Sequence, residues 1–174
     1  MYFFGLQYDK AKYYSKEVSD IFEDSHIMLW KWESRTKMAI VSSGCEQIYG
    51  FSSNHFHDDS LFWLKVVYDK DKPIAQEFEK ETLKGKKYSV QYRIVHKSGK
   101  IKWIQNMATP VYDKNGKFIK INGVTLDITK QKEQDVNYKR IIDAFPVPNI
   151  IIKDGDILYV NHEGMKLLGA GSMK

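Results

Sequence analysis

The sequence predicts an α+β fold: a five-stranded antiparallel sheet with short helices on one face, a helix ahead of it and a linker helix after it. Three apolar-polar alternating runs between Tyr88 and Thr129, joined by two short turn signals, read as an antiparallel meander. Two further strand-like runs precede them, with helical spacing in between, and that order is the one expected of helices gathered over one sheet face. The second run of the meander carries apolar residues at both parities, Ile101, Trp103, Met107 and Val111 against Ile104, Ala108 and Tyr112. A sheet open to water on one side alternates more cleanly, so both faces are expected to be covered.

From the N-terminus, Tyr14, Val18, Ile21 and Phe22 lie at helical spacing in a segment running from Tyr8 to Phe22. Such a helix either covers the outer sheet face or pairs with its copy in a dimer. Residues 27–33 and 37–42 read as two strands, with Trp30 and Trp32 on one side. Lys72 to Lys84 reads as a helix with Pro73 in its first turn and Gly85 just past its end. Residues 88–97 alternate with Tyr88, Val90, Tyr92 and Ile94 on one side. Lys97-Ser98-Gly99-Lys100 turns the chain into the run 101–112, and Asp113-Lys114-Asn115-Gly116 turns it again, since Asn-Gly tolerates positive φ. The last strand should span Phe118 to Ile128. Ile119 and Ile121 share one parity and Val124, Leu126 and Ile128 the other, so a β-bulge is expected at Gly123. Lys130 to Phe145 reads as a largely polar helix stopped by Pro146, with Thr129 placed to cap its start.

The stretch Tyr92-Arg93-Ile94-Val95-His96-Lys97-Ser98-Gly99-Lys100-Ile101-Lys102-Trp103-Ile104, followed by Gly123-Val124-Thr125-Leu126-Asp127-Ile128-Thr129, resembles the C-terminal half of a PAS domain. Asp-Ile-Thr before a charged helix is characteristic of that family in sensor proteins. Ile40 to Ser52 is similar to its second strand and first short helix, and Phe62 to Asp71 to its Trp-containing helix and acidic turn. A His-Pro-Asp-Asp is common at that turn, whereas this chain has Tyr68-Asp69-Lys70-Asp71.

An internal repeat extends the reading. Ile40-Val41-Ser42 through Gly50 lines up at constant offset with Tyr159-Val160-Asn161 through Gly169, and Ile150 to Tyr159 reads as a hairpin with an Asp-Gly turn. The expected organisation is an N-terminal helical extension (1–26), a PAS domain (27–129), a linker helix (130–145) and the start of a second, truncated PAS domain (146–174). That last part, with Ile150, Ile152, Leu158 and Leu167 lacking a partner sheet, is expected to be disordered or docked on another chain.

Composition excludes several classes. With 43% hydrophobic residues in 174, the chain is globular. No apolar run is long enough to span a bilayer, Met1-Tyr2-Phe3-Phe4-Gly5-Leu6 is too short and lacks the basic flank expected of a signal peptide, and the single Cys45 excludes an internal disulfide; a cytoplasmic location is the expectation. A net charge of +5 and the acid-free run holding Lys86, Lys87, Arg93, Lys97, Lys100 and Lys102 raise an RNA-binding alternative. These residues cluster at strand ends and turns, however, so solubilising turns are the preferred reading and no nucleic acid is expected as a partner.

Candidate chemistry is sparse. His55 and His57 lie two apart without a second ligand cluster, so a solvated loop, with Asp58 or Asp59 capping a helix, outweighs a metal site. Glu77, Glu79 and Glu81 do not converge on a helix face and read as a solvated rim. There is no acid/base pair, nucleophile elbow or glycine-rich phosphate loop, so no catalysis is expected of this segment. The PAS resemblance implies a ligand pocket between the inner sheet face and helix 72–84, with Phe78, Tyr92, Ile94, Trp103 and Asn106 as candidate lining residues; the same rings could instead fill it. Cys45 lies outside the Asn-Cys-Arg-Phe-Leu-Gln motif of flavin-adduct photoreceptors of this superfamily, and helix 72–84 has no His to serve as the axial ligand of haem-binding relatives, so neither cofactor is expected. Asp127 and Thr129, at the junction of sheet and exit helix, are the candidates for signal transmission, the carboxylate holding a donor from the next strand while the hydroxyl caps the helix. The resemblance further implies a sensory and dimerisation module of a bacterial signalling protein, regulating a histidine kinase in a two-component or phosphorelay system through an effector in the same chain. A diguanylate cyclase or phosphodiesterase is the alternative effector.

Overall fold

The computed structural model describes residues 26–169. The helix expected over Tyr8 to Phe22 lies outside them. The chain divides into two units, one ending at Thr129 and one starting at Lys130.

In the first unit, strands β1 (Ile27–Glu33), β2 (Ala39–Val41), β3 (Tyr88–Val95), β4 (Ile101–Tyr112) and β5 (Phe118–Asp127) form one antiparallel sheet in the order β2-β1-β5-β4-β3. The first and last strands of the unit thus meet at its centre, with Trp30 opposite Gly123 and Trp32 opposite Ile121. Between β2 and β3 lie helices α1 (Gly44–Tyr49), α2 (Ser53–Asp58) and α3 (Phe62–Lys65), a 3₁₀ turn (Asp69–Asp71) and α4 (Lys72–Leu83). The expected α+β architecture is therefore what forms.

Alternation decides which side chains face the helices. Met28, Tyr92, Ile94, Ile104, Ala108 and Ile121 are buried on the inner face, and Ala75, Phe78 and Thr82 return from α4 at spacings of three and four, the stripe that a helix lays on a sheet. Two buried clusters result, one around Ile48, Tyr49 and Tyr92 and one around Phe78, Ala108 and Ile121; Trp30, Trp63 and Val90 pack against both.

Turn chemistry acts much as the residues suggest. The carboxylate of Asp113 accepts the backbone N–H groups of Asn115 and Lys117 at 2.9 Å each, and Gly116 alone takes positive φ in that hairpin. The bulge is not at Gly123. Pairing runs without a break through Ala108–Gly123 and shifts between Val111 and Tyr112, where Lys120 and Phe118 are the partners and Ile119 is the extra residue. The bulged Ile119 carbonyl accepts both the Ser34 N–H, at 3.0 Å, and the Ser34 hydroxyl, at 2.9 Å. The parity switch that suggested Gly123 has another origin. The inner row of β5 after Ile121 is Gly123 and Thr125, so the apolar pattern moves to the outer residues Val124 and Leu126. Gly123 is required because the Trp30 indole lies where its Cβ would be.

In the second unit, α5 (Thr129–Ala144) leads to a hairpin of β6 (Ile150–Lys153) and β7 (Asp156–Val160), then α6 (His162–Leu167). Asp154 and Gly155 both take positive φ, as the Asp-Gly turn requires. The described part of this segment has a hub in Asn161. Its carbonyl oxygen accepts the N–H groups of Asn149 and Gly164 at 2.8 Å each, while its amide donates to the carbonyls of Ile142 and Val147 at 3.1 and 2.9 Å. One side chain so serves the end of α5, the start of β6 and the first turn of α6. Ile152, Leu158 and Leu167 remain exposed.

Candidate functional site

Between the inner face of β1 and β2 and helix α4 lies a cavity of about 210 Å³. Six aromatic side chains are among those that line it: Trp30, Trp32, Trp63, Phe78, Tyr49 and Phe56. Trp30 and Trp63 both meet Phe78 edge-on, at interplanar angles of 73° and 87°. Edge-to-face contacts of this kind fix ring orientation as well as burying area. Lys37 and Glu79 also line the cavity, and the Lys37 ammonium lies 5.0 Å from the centre of the Trp32 ring. Burial pushes the Glu79 carboxyl above its ordinary value.

One polar side chain organises the wall. The Asn106 carbonyl oxygen accepts the Trp30 indole N–H and the Thr125 hydroxyl at 3.0 Å each, and its amide donates to the Tyr92 hydroxyl at 3.1 Å. Asn106 is 4% exposed, so these bonds replace water that cannot reach it.

The inner row of β4 continues from Asn106 through Ile104 to Lys102, at the exit of the sheet. Lys102 donates to the Gln47 carbonyl of α1 at 2.7 Å and forms an ion pair with Asp127 at 3.0 Å. Asp127 also accepts the Thr129 N–H at 2.9 Å. Burial pushes its carboxyl up, but the bonds from Thr129 and the Lys102 charge prevail and hold it below the usual range. The Thr129 hydroxyl accepts the Trp103 N–H at 2.9 Å. The expected division of labour is thus partly exchanged: the carboxylate takes the strand donor and the first N–H of the helix, and the hydroxyl is used by β4.

Of the residues singled out in the sequence, Phe78 and Asn106 line the cavity. Tyr92 and Ile94 are fully buried behind it, Tyr92 touching Asn106. Trp103 belongs to the other face of the sheet, because it differs in parity from Asn106; there the Arg93 guanidinium lies between the Trp103 and Tyr68 rings, 5.3 and 4.5 Å from their centres. Sequence reasoning missed Trp63, Lys37, Glu79 and Lys102, and it placed Trp30 and Trp32 on one side without assigning them to a site. Nor do the three glutamates form one rim. Glu77 pairs with Lys80, Glu81 is buried between Lys84 and Lys86, and Glu79 borders the cavity.

The remaining candidates have structural surroundings. His55 and His57 are exposed on α2, and among the described residues no cluster of His, Cys, Asp or Glu could hold a metal. Asp59 accepts the Leu61 N–H ahead of α3 and pairs with Lys65. In the basic run, Lys86, Arg93 and Lys102 are each paired with a carboxylate.

A family model described as the PAS fold matches residues 39–125, half of the chain. The chain belongs to the PAS fold family. It is 29% identical over 125 residues to a blue-light-activated histidine kinase of Brucella ovis, a match covering 71% of this chain and 24% of that protein. Among solved structures it is similar to the N-terminal domain of a diguanylate cyclase with PAS/PAC sensor from Marinobacter aquaeolei, with a TM-score of 0.54, 19% identity, and 61% of this chain and 98% of that one covered. It is also similar to a sensory box histidine kinase/response regulator from Burkholderia thailandensis, with a TM-score of 0.52, 22% identity, and 69% and 89% covered. These two likenesses concern the PAS fold.

Light activation in the Brucella relative raises the question of a chromophore here. Cys45 is fully buried in α1 and does not line the cavity, and burial, with Glu46 beside it, pushes its thiol up to about 11. At about 210 Å³ the cavity is also below the usual range of about 300–1,000 Å³ for larger ligands. The residues present do not fit a chromophore held through a cysteine.

Proposed function

We propose that residues 27–129 are a cytoplasmic sensory module whose cavity takes a small ligand and whose state passes through Lys102, Asp127 and Thr129 to helix α5. The observation that carries this reading is the double engagement of Asp127: one carboxylate holds Lys102, on the same strand row as the cavity-wall residue Asn106, and the first N–H of the exit helix. Repacking at the cavity would shift β4, and the Lys102–Asp127 pair would move the helix start with it. The module acts as a homodimer and regulates an effector in the same chain, a histidine kinase in a two-component or phosphorelay system; the name of the curated relative supports the kinase. Residues 146–174 begin a second PAS domain. In support of that, strand, short helix and positive-φ glycine recur from β2, α1 and Gly50 to β7, α6 and Gly169.

The experiment is to substitute Asp127→Ala in the full-length protein and measure its output with and without stimulus. The expected result is an output that no longer responds, with cooperative unfolding preserved. An unchanged response would remove Asp127 from the signal path.

A further inference from the structure

Resting on the cavity as the ligand site, we infer that its ligand is a small organic cation, an ammonium carrying a compact aryl or alkyl body. Three features of the walls lead there. The first is the balance of charge along α4. Glu77 has Lys80, and Glu81 has both Lys84 and Lys86, yet among the described residues the carboxylate between them, that of Glu79, has no cation within ion-pair distance. It is also the one of the three that faces the cavity. A half-buried carboxylate without a counterion is harder to keep charged than one in water, and a bound cation supplies what the helix withholds.

The second feature is the aromatic box. Trp30, Trp32, Trp63 and Phe78 line the space, Trp30 and Trp63 each meeting the Phe78 ring edge-on, and indole faces attract ammonium groups more strongly than other side-chain rings do. Lys37 already demonstrates this at Trp32, with its ammonium 5.0 Å from the ring centre. Lys37 is exposed, whereas Glu79 is half-buried, so a ligand cation can displace the lysine while the carboxylate stays within the wall. An anionic ligand would meet the opposite arrangement, with its partner in water and its repeller in the wall.

The third feature is that the polar side chains of the inner wall are engaged, which leaves Ser60, Lys37 and Glu79 as the other polar groups of the lining. Asn106 spends its carbonyl on Trp30 and Thr125 and its amide on Tyr92, and the Thr82 hydroxyl donates to the Phe78 carbonyl at 2.9 Å. The inner part of the cavity therefore suits an apolar body and the Glu79 side a charge. A volume of about 210 Å³ suits a body of one ring or a short chain.

Isothermal titration calorimetry on the intact chain tests this with three probes of one shape: 2-phenylethylammonium, 2-phenylethanol and 3-phenylpropionate. The ammonium should bind about tenfold or more tightly than the alcohol, and the propionate most weakly. Glu79→Gln should erase the margin between ammonium and alcohol while leaving alcohol binding in place, and Lys37→Met should strengthen ammonium binding. Equal binding of all three, preference for the propionate, or a margin that survives Glu79→Gln would overturn the cation while leaving the cavity as a ligand site. No binding of any probe would overturn both.

Discussion

Asn106 holds the inner wall because its carbonyl oxygen accepts two bonds, from Trp30 and Thr125, while its amide donates a third to Tyr92. Asn106→Ala leaves the Trp30 indole N–H, the Thr125 hydroxyl and the Tyr92 hydroxyl without their partner. The expected loss is about 3 kcal/mol, read from urea unfolding, together with a changed tryptophan emission; a loss under about 0.5 kcal/mol would show that the network is dispensable. Gly123 is the companion case. A methyl group at this position meets the Trp30 ring, so Gly123→Ala should destabilise by about 1–3 kcal/mol although alanine is otherwise a better strand residue. This was not legible in the sequence, where Gly123 looked like a bulge, because nothing local says that a tryptophan from the opposing strand needs the space. Cys45 supplies a third check. With its thiol buried and raised to about 11, it should resist a thiol reagent at neutral pH until the protein unfolds, and rapid labelling of the native chain would contradict its burial.

At the scale of elements, alternation and turn residues specified the strands because each signal is local: two parities and a short turn suffice to state a hairpin. The start of α4 depends on distant residues. Asp71 accepts the Arg93 backbone N–H at 2.8 Å and the Arg93 guanidinium at 2.9 and 2.6 Å, so β3 fixes the point where the helix begins. The bonds from Arg93 hold the Asp71 carboxyl below its ordinary value, and Asp127 is also depressed. A carboxyl depressed in the folded state releases its proton more readily there than in the unfolded chain, whose value is about 3.9. Its contribution to stability is therefore present above about pH 4 and is lost as pH falls through the folded value. Asp71→Asn should flatten the fall in stability below pH 4 in urea titrations, and an undiminished slope would assign the acid sensitivity elsewhere. The glutamates of α4 show why helical spacing alone misjudged a face. Glu77, Glu79 and Glu81 are interchangeable on paper, and only Lys80, Lys84, Lys86 and the tryptophans from β1 make one of them a wall residue.

Across the whole molecule, the repeat visible in the sequence has a structural echo in each unit. Ser42 and Asn161 occupy matching places after β2 and β7; Ser42 accepts the Leu29 N–H at 3.0 Å, and Asn161 accepts the Asn149 N–H at 2.8 Å. Asn161→Ala should abolish amide-exchange protection at Gly164 and Asn149 while leaving that of Ile104 and Tyr92 intact, since the two pairs lie in separate compact units. Loss of protection in both would mean that they fold as one. The cavity was only half legible at this scale. Phe78 and Asn106 were named through the PAS resemblance, but Lys37, Trp63 and Glu79 come from the β1–β2 turn, α3 and α4, which meet only in the folded chain. The central claim, that the cavity wall and the exit helix belong to one connected network, is tested most directly by amide exchange at the first turn of α5 in wild type and in Lys102→Met. The network requires faster exchange at Thr129, whose N–H the Asp127 carboxylate accepts, in the variant with Ile104 and Tyr92 still protected; identical exchange in the two proteins would contradict it.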